Sequence, residues 1–244
     1  MKINIYSFSA IVLILAYFPA IAQENPVWDY PIKPGTEEWK ALLTRDEMLK
    51  ACQIPEEVLK SLPTQDIVII CQNYPLISNY YLYNNLQEGF RKVIPYFNGL
   101  QELLTRKDNV QCLMSLLQNY NLETLESKSQ SILELGETIV KQSLIEVILS
   151  QESVLVNANS EQKKAIATIA LKNMIIKGQM PQTYSHYSLE ASAYLLCLNL
   201  KNLNDDAEII PELEQFLKTG SLQNATVQIE ELKLNYSKTL KIEQ

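Results

Sequence analysis

Residues 189–200 read LEASAYLLCLNL, and this stretch decides the fold. Only Glu190, Ser192 and Asn199 interrupt it, so on a helix it is apolar almost all round. A helix of that kind belongs in the centre of a protein. Leu195, Leu196 and Leu198 are therefore expected to be deeply buried, each costing about 2–5 kcal/mol on truncation to Ala. Ser188-Leu189-Glu190 reads as its start.

Helical punctuation continues on both sides. Downstream, Pro211 opens a helix and Gly220 closes it. Ile229, Leu232, Tyr236 and Leu240 then form one seam within 224–240. Upstream, a helix from Glu161 to Lys177 is expected to be capped at Ser160 and ended by Gly178. Glu137 to Ser150 is another, with Ile139, Leu144, Ile145 and Ile148 toward a core and a bend permitted at Gly136. Residues 151–159 (QESVLVNAN) are the candidate break between two halves.

Nearer the N-terminus the helices shorten. Thr36 precedes Glu37 and Glu38, and Thr44-Arg45-Asp46-Glu47 has the form of a capping box. Pro55-Glu56-Glu57 looks like a first turn, Thr64 opens another helix, and Pro75 breaks the chain. Residues 37–74 thus read as four short helices. Asn84 or Asn85 can cap a helix toward Phe97, Asn98-Gly99 restarts one through Arg106, and Asp108 or Asn109 caps Val110 to Tyr120. No stretch alternates as a strand. The expectation is an all-α domain over 36–244, with short helical hairpins followed by longer packed helices in an irregular array. Residues 23–35 (QENPVWDYPIKPG) form an extended, Pro-rich arm that Trp28 and Tyr30 could pin to the body.

Residues 1–22 have the form of a secretory signal. Lys2 is the positive end, Ala10 to Phe18 the apolar stretch, and Ala20-Ile21-Ala22 the small-x-small site before Gln23. The apolar run is well short of the ~20 residues a membrane span needs. Cleavage and an uncleaved N-terminal anchor are both open; after cleavage no membrane span is expected. The protein is expected to be exported, periplasmic or extracellular.

The chain has 244 residues, 47% of them apolar and 20% charged, which suits a globular domain. The net charge of −7 becomes −8 without Lys2. That argues against nucleic acid as a partner, because phosphate binding needs clustered Lys and Arg. Cys52, Cys71, Cys112 and Cys197 would sit where disulfides persist. Thr44…Cys52…Pro55 repeats as Thr64…Cys71…Pro75, so stacked hairpins would bring Cys52 beside Cys71. The alternative is four buried thiols packing as small hydrophobes.

Signals for chemistry are sparse. His186 is the sole histidine, in a TYSHYS segment read as a connection between helices. It could act as a base, but no nucleophile-elbow motif accompanies it, and one histidine excludes HExxH zinc sites. The acidic residues sit mostly at helix starts, where the helix dipole accounts for them. Asn202–Glu208 is rich in oxygen ligands, yet Ala207 and Leu213 break the EF-hand pattern. No metal or cofactor is expected. The densest aromatic block surrounds Tyr80, Tyr81, Tyr83, Asn84 and Asn85, the candidate contact residues for a ligand or partner.

YPIKPGTEEW, ACQIPEEVLKSLPTQDIV, CQNYPL and NNLQEGFRKVIPYFNGLQELLTRKD resemble a block found in a family of exported helical bacterial proteins with no assigned activity. The resemblance covers about residues 30–108 and implies an exported helical protein, with no site residues to carry over. The first functional reading is a non-enzymatic exported protein that binds a protein or envelope component through a groove between helices. The alternative is a hydrolase of an envelope or extracellular polymer.

Overall fold

A computed structural model describes residues 28–203 and 210–239. The signal segment, the start of the arm, most of the Asn202–Glu208 run and Leu240 lie outside these residues. Among the described residues there are fourteen α-helices and no strand, so the fold is all-α.

Four short helices open the domain: α1 (Glu37–Lys40), α2 (Arg45–Ala51), α3 (Glu56–Ser61) and α4 (Thr64–Gln72). Their starts follow the sequence signals. Thr36 accepts from Trp39 N, and Thr44 and Glu47 close a reciprocal capping box. Thr64 departs from expectation: its hydroxyl donates to Asp108 Oδ1 at 2.6 Å, and Pro63 takes the cap position. Asn98 clamps the α2–α3 connection, accepting from Ile54 N at 3.0 Å and donating to Ile54 O at 2.7 Å.

A 3₁₀ stretch (Ile77–Leu82) leads to α5 (Leu86–Val93), α6 (Asn98–Thr105) and α7 (Asn109–Gln118). Gly89 lets α5 approach that stretch closely: a Cβ there would lie 2.0 Å from the Tyr80 carbonyl oxygen. After the short α8 (Leu125–Lys128) comes α9 (Ile132–Leu149). It starts five residues before the expected Glu137 and runs straight through Gly136. The reason is Ser131, whose hydroxyl accepts from Glu134 N and caps the helix.

The expected break at 151–159 holds a turn and α10 (Glu152–Leu155), and the core is continuous across it: Leu149, Val154, Leu155 and Ala158 join the same buried cluster as residues from both ends of the chain. Next comes α11 (Ser160–Gln179), capped by Asn159 with Gln162 closing a box, in place of the expected Ser160. Gly178 stays inside the helix, which ends at Met180. The central helix α12 (His186–Leu203) begins two residues earlier than expected, because Ser185 Oγ accepts from Ser188 N. α13 (Pro211–Thr219) ends as predicted at Gly220, whose φ of +79° suits glycine, and α14 (Ala225–Thr239) completes the chain.

α12 packs against α11, α9, α13, α14 and α5. Leu195 and Leu196 are fully buried and Leu198 is 8% exposed, as predicted. Between α9, α11 and α12 lies a buried polar cluster. Glu146 and Lys177 pair at 2.6 Å with both side chains wholly inaccessible. Asn173 and Ser192 each donate to Glu146 at 2.8 Å, Lys177 also donates to Ser188 O, and Ser143 and Ser188 share a hydrogen bond. Buried charge is tolerated only with partners of this quality.

Of the two readings open for the cysteines, unpaired thiols or a Cys52–Cys71 bond, the structure has the first: all four are free, three buried and Cys112 half-buried. The second of the two repeated helices, α4, packs chiefly on α6 and α7. Cys52 and Cys71 instead fill the core, and burial pushes the Cys52 thiol up to about 12.

Candidate functional site

The aromatic block divides between core and surface. Tyr80 is buried and stacks on Phe90 with ring centres 6.0 Å apart. Asn85 is also buried; it caps α5 through Glu88 N, and its amide donates to Thr219 O at 2.7 Å and Ser221 Oγ at 3.2 Å. These two candidate contact residues therefore serve the fold. Asn84 is exposed and donates to Glu88. Tyr81 meets Tyr187 edge to face at 5.8 Å, and the Tyr187 hydroxyl donates to Tyr83 O at 3.3 Å.

His186 sits in the first turn of α12, not in a connection, one residue before Tyr187. Its Nε2 is 2.9 Å from Glu190 Oε1. Glu190 is buried, also accepts from Leu222 N at 2.8 Å, and has its second oxygen unpartnered. Burial raises its carboxyl above the ordinary range, against the opposing pull of Leu222 N–H and His186. Glu190 is the one hydrogen-bond partner of His186 among the described residues. Through Leu222 N–H, Glu190 also ties the segment after α13 to α12.

The feature that sequence reading missed is an open cleft of about 600 Å³. One wall is the first turns of α9, with Ile132, Leu133, Gly136 and Val140. The opposite wall is the turn after α4, from Gln72 to Ile77, with Pro34 of the arm at the edge. Gln72 fixes the walls relative to one another: its amide donates to Tyr120 Oη at 2.9 Å and Lys141 O at 3.2 Å. Tyr74 is held from behind by stacking on Phe97, with ring centres 4.2 Å apart. Tyr30 anchors the arm through its hydroxyl, which donates to Ile70 O at 3.0 Å.

Ile132 is 90% exposed and Leu133 73% exposed, although the same helix buries Ile139, Leu144, Ile145 and Ile148. Gly136 leaves the α9 wall open, with nothing within 4 Å of where its Cβ would be. Glu137 and Lys141 supply the charge on that wall. The one sequence signal for this site was Ser131-Ile-Leu-Glu134, a cap pattern that puts two large apolar residues in a solvent-facing first turn. Chemically the cleft can bind apolar surface. Among the described residues, no three His, Cys, Asp or Glu side chains gather as a metal site, and no helix is long and apolar enough to cross a membrane.

Compared with protein-family models, curated proteins and solved structures, the chain matches none of them.

Proposed function

We propose that this is an exported, non-enzymatic binding protein whose α9 cleft holds an apolar segment of a partner polypeptide. The observation that carries the reading is the pair Ile132 and Leu133, nearly bare of protein contact on the rim of a largely apolar cleft. Covering each would contribute roughly 1.5–3 kcal/mol. The volume falls in the range typical of ligand sites, and the open shape suits a chain laid across it. Export rests on the form of residues 1–22 and on the family resemblance over 30–108.

Photo-crosslinking tests the reading. A benzoyl-phenylalanine at position 133 should capture a defined partner from the envelope or culture fraction. The same probe at the exposed Lys164 of α11 should not. Gly136→Phe adds a ring to the cleft wall at a position whose Cβ meets no neighbour, and should abolish capture. Equal capture at 133 and 164, or capture that survives Gly136→Phe, would refute it.

A hydrolase reading keeps one observation in its favour, the carboxylate that orients His186. It requires that His186→Ala and Glu190→Gln both remove a measurable polymer-cleaving activity.

A further inference from the structure

The segment from Tyr74 to Tyr83 has a second hollow on its other side, of about 310 Å³. Met48 and Leu49 of α2, Leu76, Leu82 and Val93 make it apolar. Charge enters it once, at Arg45, and no carboxylate lines it. The Arg45 guanidinium stands 5.2 Å from the centre of the Tyr96 ring and makes no hydrogen bond or ion pair to any described residue. Its sequence neighbour Glu47 is committed elsewhere, accepting from Leu43 N at 2.8 Å and Thr44 N at 2.9 Å.

Two further polar groups on the wall are uncommitted. Tyr74 is 1% exposed, yet its hydroxyl has no hydrogen-bond partner. A buried donor in that state costs roughly 1–3 kcal/mol until something satisfies it. Arg45 and Tyr74 line the same hollow. The Asn79 side chain also lines the hollow and makes no side-chain hydrogen bond to a described residue.

We propose that this hollow is a binding site for a small organic carboxylate with an apolar body, its carboxylate on Arg45 and its body against Leu82, Met48 and Tyr96. A guanidinium matches a carboxylate through two parallel hydrogen bonds. The Tyr96 face holds the guanidinium in place beforehand, which reduces the ordering needed on binding. Tyr74 Oη and the Asn79 amide supply the remaining donors. The site is separate from the α9 cleft, from which it is divided by the Tyr74 wall, and does not depend on the function proposed for that cleft.

Calorimetric titration of the intact protein with naphthalene-2-carboxylate and with octanoate, each against its primary amide, tests this. At least one carboxylate should bind about tenfold more tightly than its amide. Whichever acid binds identifies an aromatic or an aliphatic body. Arg45→Met should erase the preference for acid over amide, Arg45→Lys should keep part of it, and Tyr74→Phe should weaken the acid alone. Leu82→Asp should weaken acid and amide together. Lys141→Met, on the other cleft, should change nothing. Arg45 and Leu82 are exposed, so these variants should keep the parent's thermal unfolding. Equal affinity for acid and amide, no binding of either acid at millimolar concentration, or an acid preference that survives Arg45→Met would each overturn the assignment.

Discussion

Lys177→Met should be among the most damaging single substitutions in this protein, and a second substitution should repair most of the harm. The ammonium of Lys177 meets Glu146 Oε2 at 2.6 Å, and neither side chain touches solvent. Without it, that oxygen loses its partner, while Oε1 keeps Asn173 and Ser192. A buried carboxylate stripped of its cation typically costs about 3–5 kcal/mol. Domain stabilities run only to about 5–15 kcal/mol, so the variant loses between about a fifth of its margin and all of it. Glu146→Gln should cost a similar amount, because Lys177 is left with the Ser188 carbonyl alone. The double variant Glu146→Gln/Lys177→Met carries no buried charge, and its Gln still accepts from Asn173 and Ser192. What it lacks is the donor to Ser188 O, a loss of about 1–2 kcal/mol. Urea unfolding followed by far-ultraviolet circular dichroism measures all four proteins. Strongly non-additive losses are expected, with the double variant the most stable of the three. If a single variant does not accumulate folded, rescue by the second substitution is itself the readout. Additive losses, or a Lys177→Met cost below about 1 kcal/mol, would mean that these charges reach water, as surface pairs do.

Other measurements follow from particular side chains. The Glu190 carboxyl is raised by burial, so the folded state binds protons more readily there than the unfolded chain, and this site destabilises the fold as pH rises through the raised value. Glu190→Gln should therefore gain on the parent between about pH 4 and pH 7 in urea midpoint; a difference independent of pH refutes this. Thiol titration without reductant should count four thiols after denaturation but find only the half-buried Cys112 reactive in the native protein. A count of two in denaturant would restore the Cys52–Cys71 bond. Gly136→Ala should stabilise by up to about 1 kcal/mol, since its methyl meets open space on a helix, whereas Gly89→Ala should destabilise against the Tyr80 carbonyl. Thermal unfolding of the pair checks both signs.

Much of this fold is legible in the amino-acid order because its helix signals are local. The Thr44–Glu47 box, the Pro211 start and the Gly220 stop each act within four residues, and each appears where the sequence puts it. The errors came where two local rules competed. The helix read from Glu137 begins instead at Ile132, because Ser131 caps it across an apparent glycine break, and the cap read at Ser160 falls to Asn159, whose partner Gln162 closes a box. The candidate site was less legible, because a cleft is a relation between distant segments. Pro34, Tyr74 and Leu133 meet only in three dimensions, and nothing in their spacing announces it. Tyr80 and Asn85 were singled out from aromatic density, which identifies a packed region without saying which side chains face out, and both are buried.

Asn85 does two jobs on different length scales. Its carbonyl oxygen caps a helix three residues away, and its amide reaches a carbonyl 134 positions later. During synthesis the first bond can form as soon as α5 leaves the ribosome. The second must wait until almost the whole chain has been made. The N-terminal helices can pack on one another early, through contacts such as those of α4 with α6 and α7, whereas the tie from Asn85 to the Thr219–Ser221 turn can form only near the end of synthesis.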